Sequence, residues 1–402
     1  MQQSNIEEHK SSGSRLVILD ALRGYALLGI ILCHYNHWHA AYLDMLIDRP
    51  YSALSRATEW FNTYYLVNKF YILFSFIFGF SFYLQSQSFK KYSGSTDLKL
   101  YRRAIVLFLI GAIHYIGWMG DILFVYGVLM VPLVFIRKWS SKALLLTAGV
   151  CVINLPTMLL YAKKLLSPAV VEPTGGVGGI PPTVSSLYHV VTSGGWKDIF
   201  HYDFSFIHTR VQFQIWNGSL FMVLGFFILG MLAASHNFFA VVQRLKHRFL
   251  YLIPAGIALV ISMQYLLLLL DQPTYSGSLW YKSAGFLITC VLSLTAVFTN
   301  VLIVALMMEQ RFLATLMLRL ADVGKMALTN YLMQTVFALF LFYHVGMGLY
   351  RVTTPAENFM LAIGVFAVQM GYSTLWLKYF NYGIVEWLLR IATLGKYSRL
   401  TK

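Results

Sequence analysis

The stretch Leu19-Asp20-Ala21-Leu22-Arg23-Gly24-Tyr25-Ala26-Leu27-Leu28-Gly29-Ile30-Ile31-Leu32-Cys33-His34 decides what kind of chain this is. Between Arg23 and His34 it is apolar on every face, so a helix here has no side to turn to water. Extended over 18–38, it is long enough for the roughly 30 Å apolar slab of a bilayer. Similar runs recur along all 402 residues, at about 63–84, 103–119, 122–136, 142–162, 212–234, 249–270, 282–308, 323–344 and 358–380. The expected fold is all-α and integral to the membrane, about ten transmembrane helices in one bundle. Composition agrees: 58% of residues are hydrophobic and 12% charged, against about 25% charged in an ordinary soluble domain. So few charges could not cover a soluble surface.

Net charge is +15. In a soluble protein that would suggest nucleic acid. Distributed by loop, the basic residues instead follow the bias toward cytoplasmic segments. With the N-terminus inside, the inside segments carry the whole +15 surplus and the outside segments balance. Both termini are therefore expected in the cytoplasm, and no nucleic-acid partner is expected. The chain divides into an N-terminal tail (1–17), spans one to five (18–162), an extracytoplasmic loop (163–211), spans six to ten (212–380) and a cytoplasmic interfacial tail (381–402). A shorter outside loop covers 42–62. The larger one carries a Gly/Pro-rich stretch around Pro181-Pro182, and 185–210 is expected at the membrane surface. The first run has no clear cleavage site and reads as a retained helix. Cys33, Cys151 and Cys290 sit in apolar runs as buried thiols, and no Cys/His spacing suggests a metal.

Ionisable residues inside spans are costly, so each is a candidate for function. Arg23 and His34 are eleven residues apart, three turns along one face and about 16 Å along the axis. Arg103 and His114 repeat this spacing in span three, and Asp121 follows His114 by seven, again on one face if the helix continues. A histidine beside a carboxylate is a candidate general base. The bland alternatives are that Asp20 caps the first helix, Arg23 anchors it, and His34, His37 and His39 form an interfacial cluster. In span nine, Asn330 and Gln334 share a face. They could polarise a carbonyl or simply tie one helix to another. Lys69, with Asn62 and Asn68, is expected to snorkel; Gln369 and Arg210 are lesser candidates.

Several blocks carry a resemblance: 19–29, Leu73-Phe74-Ser75-Phe76-Ile77-Phe78-Gly79, then Gly111, His114 and Gly120-Asp121-Ile122-Leu123 with Tyr126, then Gly324-Lys325-Met326-Ala327-Leu328-Thr329-Asn330-Tyr331 with Gln334, and Glu386-Trp387-Leu388-Leu389-Arg390. Over nearly its whole length the chain resembles the YeiB-like bacterial membrane proteins, the family of domain of unknown function 418. That family is similar in turn to transmembrane acyltransferases, in which an Arg and a His at the spacing of Arg23 and His34 are essential. YeiB-like members often have Asn where His34 stands, and Pro after the glycine where Ile384 follows Gly383.

The resemblance implies a multi-pass protein of the bacterial cytoplasmic membrane and, among activities, an acyltransferase. An acyl-CoA donor would set its phosphates near Arg23, Arg102 and Arg103 on the cytoplasmic side, with Asp20 beside them. His34 or His114, oriented by Asp121, would deprotonate a glycan, lipid or metabolite acceptor, and Asn330 or Gln334 would hold the carbonyl. No metal is called for. A secondary transporter and a non-catalytic membrane protein are the competing expectations.

Overall fold

The computed structural model describes residues 2–38, 51–118, 120–166, 184–245, 247, 250–270, 279–350 and 352–402. His39 and the Gly/Pro-rich loop around Pro181-Pro182 lie outside the described residues, as does the side chain of His37. The described chain is helical, and its only β pairing is an isolated bridge between Phe380 and Thr401.

Helix α1 (Gln2–Cys33) ends in a wide π turn, His34–Trp38. Helix α2 (Ala53–Phe61) runs into a second π turn, Asn62–Leu66, and a reversal at Asn68 starts α3 (Phe70–Phe89). Next come α4 (Thr96–Tyr115), α5 (Leu123–Ile136), α6 (Ser141–Val152) and α7 (Leu155–Leu166). Three short helices follow, α8 (Val184–Ser193), α9 (Trp196–Ser205) and α10 (Ile207–Trp216). The second half holds α11 (Ser219–Ser235), α12 (Phe238–Leu245), α13 (Leu252–Leu270), α14 (Leu279–Met307), α15 (Arg311–Lys325), α16 (Ala327–Phe342), α17 (Pro355–Tyr379) and α18 (Ile384–Leu394).

Local chemistry sets many boundaries. Ser95 and Ser140 cap α4 and α6 by accepting backbone N–H bonds, and Thr354 with Glu357 forms a capping box ahead of Pro355, each satisfying an orphan donor of a helix start. Gly395, at φ 65°, ends α18. Asn154 (φ 61°) breaks α6 from α7, and Gly218 (φ 75°) breaks α10 from α11.

Among the described residues, five helical segments are long and apolar enough to cross a membrane, or up to eight if each bent pair is one span. Ten are not reached by this measure. Helix α5 has fourteen residues, only about 21 Å, and α4 carries Arg102 and Arg103. The runs expected at 142–162 and 212–234 are each two helices, bent by 47° and 65°. The largest difference is in span nine: α15 and α16 meet at 87° around Met326, so 323–344 is not one straight helix. The long, mostly apolar run after Met326 conceals this break, which falls directly after Gly324-Lys325. The segment expected on the membrane surface, 185–210, instead docks on the bundle, where Val191 O accepts the His344 N–H at 2.8 Å and Ile199, Tyr202 and Asp203 are buried.

Helix α15 lies along α1 because two glycines let the backbones touch. A Cβ on Gly24 would meet Leu320 O at 2.0 Å, and one on Gly324 would meet Asp20 O at 1.8 Å. The same reciprocal contact joins α3 to α11 through Gly79 and Gly230, and α4 to α5 through Gly111 and Gly127. Small residues at crossings are how helices associate where lipid offers no hydrophobic drive. We expect Gly79→Leu, whose Cβ would lie 1.9 Å from Phe227 O, to cost about 1–3 kcal/mol or more, measured as a lower thermal midpoint in detergent.

Candidate functional site

Two polar clusters flank one cavity, the first on its wall and the second beyond Tyr331, which lines it. At the first, Arg23 on α1 donates to Asp20 Oδ1 at 2.5 Å and to Ser81 Oγ of α3 at 2.5 Å. Both Arg23 and Ser81 line a cavity of about 380 Å³. Arg103 of α4, Lys325 of α15 and Arg390 of α18 line it too, facing a single carboxylate on the wall, Glu386. Glu386 is already committed: its carboxylate accepts the N–H groups of Leu328 and Thr329 at 2.6 and 3.0 Å and the Thr329 hydroxyl at 2.5 Å. It thus occupies the N-terminus of α16, where an anion is favoured. Lys325 has Asp322 at 3.6 Å. Arg103 has no hydrogen-bonding or ion-pair partner among the described residues, which leaves a half-buried guanidinium free toward the cavity.

Elsewhere the cavity is apolar, with Phe74, Phe78, Phe82, Leu107 and Met130 on the wall. Ile122, Tyr126 and Tyr331 line it as well. Tyr331 is shared with the second cluster: its ring packs 5.4 Å from that of His114. His114 Nδ1 lies 2.7 Å from Asp121 Oδ1, and Asp121 Oδ2 accepts the Phe124 N–H at 2.6 Å. A carboxylate accepts only, so in this pair Nδ1 is the donor to Asp121. Nε2 is buried and has no partner among the described residues. His34 joins through Trp118, whose indole packs edge-on against both imidazoles, at 4.7 Å from His34 and 5.9 Å from His114.

The expected residues therefore separate into two groups. Asp20, Arg23 and Arg103 gather in the first cluster, and His34, His114 and Asp121 in the second. The His114–Asp121 pair forms by a different route from the expected one. Helix α4 stops at Tyr115, and the turn through Trp118 brings Asp121 back to the imidazole, capping α5 as it does so. Arg102 is exposed beside Gly395 rather than on the cavity wall.

Asn330 and Gln334 belong to neither group. Asn330 Nδ2 donates to Ser373 Oγ at 2.9 Å, Gln369 Nε2 donates to Asn330 O at 2.9 Å, and Gln334 Nε2 donates to Gln369 Oε1 at 3.1 Å. These amides tie α16 to α17, off the cavity wall. Gln369→Leu should cost about 0.6–2 kcal/mol of stability and leave ligand affinity at the cavity unchanged, as titration against denaturation curves would show.

Sequence alone assigns no role to Trp118 or Tyr331 and places Arg390 only in the interfacial tail. Trp118 and Tyr331 sit within the blocks that carry the resemblance, beside residues that were singled out. Nothing in the sequence brings α18 to α4.

The profile described as "Protein of unknown function (DUF418)" matches residues 233–396. The chain is 30% identical to uncharacterized protein YxaH of Bacillus subtilis (strain 168), over 97% of each chain. The chain belongs to the YeiB-like DUF418 family. It is also 28% identical to uncharacterized protein YeiB of Escherichia coli (strain K12), over 94% of this chain and 96% of that protein. An uncharacterized 39.9 kDa protein of Bacillus acidopullulyticus is 25% identical, over 95% and 94%. No solved structure matches. The stretch matched by the DUF418 profile supplies Lys325, Tyr331, Glu386 and Arg390. Arg23, Arg103, His114 and Asp121 come from the half outside it, so the cavity is built by both halves of this DUF418 protein.

Proposed function

We propose that this chain is an integral-membrane acyltransferase that moves an acyl group from a cytoplasmic acyl-CoA to a hydroxyl or amine acceptor at the outer side of the membrane. The observation that carries this is His114: Nδ1 is held by Asp121, Nε2 is buried and without a partner among the described residues, and the ring packs on Tyr331, a wall residue of a cavity lined elsewhere by Arg23, Arg103 and Arg390. The donor's phosphates would bind Arg23, Arg103 and Arg390 by charge-assisted hydrogen bonds. Its thioester would lie along the apolar wall toward Tyr331. Arg23 and His34 are about 16 Å apart along α1. A pantetheine arm has thirteen bonds from phosphorus to sulfur, a little over four residue-lengths of extended chain, or about 15 Å. The acceptor oxygen or nitrogen attacks the thioester carbon as its proton passes to His114 Nε2. The C–S bond breaks, and the thiolate takes that proton to leave as free CoA. Asp121 stabilises the imidazolium. Acceptors of the fitting chemistry are a glycan, a lipid head group or a small metabolite.

This scheme goes with ten crossings in the bacterial inner membrane and both termini in the cytoplasm, in keeping with the +15 charge on one side. The second reading, a transporter, is favoured by the three bent helix pairs, because broken helices build many transport sites. Reconstituted protein given acetyl-CoA labelled in the acetyl group, with candidate acceptors, separates the two. A transferase yields a covalently labelled acceptor. Movement of an unmodified acceptor into vesicles, with no label transferred, would favour transport.

A further inference from the structure

A third polar cluster lies at the His34 end of the bundle, away from the cavity. Lys69 precedes α3 and is 1% exposed. Its ammonium does not snorkel to water. It donates to Gln264 Oε1 of α13 at 2.7 Å, and no carboxylate pairs with it among the described residues. The nearby acid, Glu59, accepts instead from Asn36 Nδ2 at 3.2 Å and Thr63 Oγ1 at 3.4 Å. A buried ammonium at membrane depth is costly unless an anion meets it.

Asn62 is the second, independent observation. It is fully buried, and neither its Nδ2 nor its Oδ1 has a partner among the described residues. Asn36 is also fully buried, and its Oδ1 is unmet among them. Buried side-chain amides are nearly always satisfied, so three open positions in one region mark a missing partner. The segments that carry these residues pack together: Asn62–Leu66 rests on α1 and α13, and Cys33 lies within electrostatic reach of both Lys69 and Glu59. The backbone is irregular as well. Asn36 and Asn62 sit in the two π turns, and Asn68 has φ 66°. Such departures gather at functional sites, and at membrane depth they are kept where they are buried or line a cavity.

We infer that Lys69, Asn62 and Asn36 form a binding site for a hydroxylated anion. One carboxylate or phosphate group meets the Lys69 ammonium and the Asn62 N–H donors. Hydroxyls of the same ligand donate to the Asn62 and Asn36 carbonyls. None of the three residues lines the cavity, and the site stands whether or not the chain transfers acyl groups.

The test is thermal unfolding of the full chain in nanodiscs, titrated with inorganic phosphate or with glucuronate against sodium chloride at equal ionic strength. Saturable stabilisation by one of the two, absent with chloride, is expected, and which one responds separates a phosphoryl from a hydroxycarboxylate ligand. Lys69→Met should weaken the half-saturating concentration by about tenfold or more. Asn62→Asp supplies an internal carboxylate, so it should unfold at a higher temperature than wild type without added anion and lose the response. Failure of both anions to stabilise wild type, or an unchanged titration in Lys69→Met, would overturn the site. If Lys69→Met does not fold, the Asn62→Asp comparison decides alone: a variant that still responds as wild type does refutes it.

Discussion

Replacing His114 with Ala is expected to lower acyl transfer by roughly 10²–10⁴-fold, the usual contribution of a positioned general base. Donor affinity should stay unchanged, because His114 does not line the cavity that would hold the donor. Asp121→Asn should reduce turnover as well. An amide can donate to Nδ1 and so move the proton to Nε2, which removes the base while keeping the shape. Asp121→Asn also weakens the cap on Phe124 N, at about 1 kcal/mol, so its thermal midpoint must be recorded beside its rate. His34→Ala offers a contrast. His34 reaches the pair only through the Trp118 ring, so a smaller loss is expected than for His114→Ala. Steady-state rates with varied donor, read as kcat and KM separately, check all three.

Gly324→Val is expected to have the second large effect. Its Cβ would fall 1.8 Å from Asp20 O, and the facing Gly24 offers no slack because Leu320 O already lies where its own Cβ would stand. The α1–α15 pair must then part. Overpacking of this kind costs about 1–3 kcal/mol, and here it also moves Asp20, Arg23 and Lys325 in the basic cluster. A lower thermal midpoint and a raised KM for donor should appear together. Gly364→Ala is the control. Nothing lies within 4 Å of the point where a Cβ on Gly364 would stand, and Ala is favoured over Gly in a helix interior by about 0.5–1 kcal/mol. That variant should be neutral or slightly more stable.

The sequence made the one-helix relations legible. Arg23 and His34 lie on one helix, as do Arg103 and His114, and fixed periodicity sets the separation within each pair. It also put His114 and Asp121 together, but by assuming a helix that in fact stops at Tyr115. What it could not carry were relations between helices. The i,i+4 pair Asn330 and Gln334 was plain, yet its partners Gln369 and Ser373 were identifiable only once α17 was placed against α16. The break at Met326 was hidden because the mostly apolar run on its C-terminal side is long enough to read as one span with the residues before it. Lys69 was misjudged for a similar reason. Its place near a span end suggested a route to water, but Gln264 and the π turn enclose it. Arg390 read only as part of the interfacial tail because nothing local to α18 shows that it shares a cavity wall with Arg103.

The most direct measurement is free-thiol release from acetyl-CoA by purified protein, with water or an added nucleophile as acceptor, for wild type, His114→Ala and Arg103→Ala. Arg103 is the unpaired cation on the cavity wall among the described residues, and removing a charge-assisted contact of this kind costs about 1.5–3 kcal/mol. The expected result is release by wild type, loss to background in His114→Ala, and a raised KM with little change in kcat in Arg103→Ala. Equal release by all three proteins, or none from wild type with any nucleophile, would contradict the account.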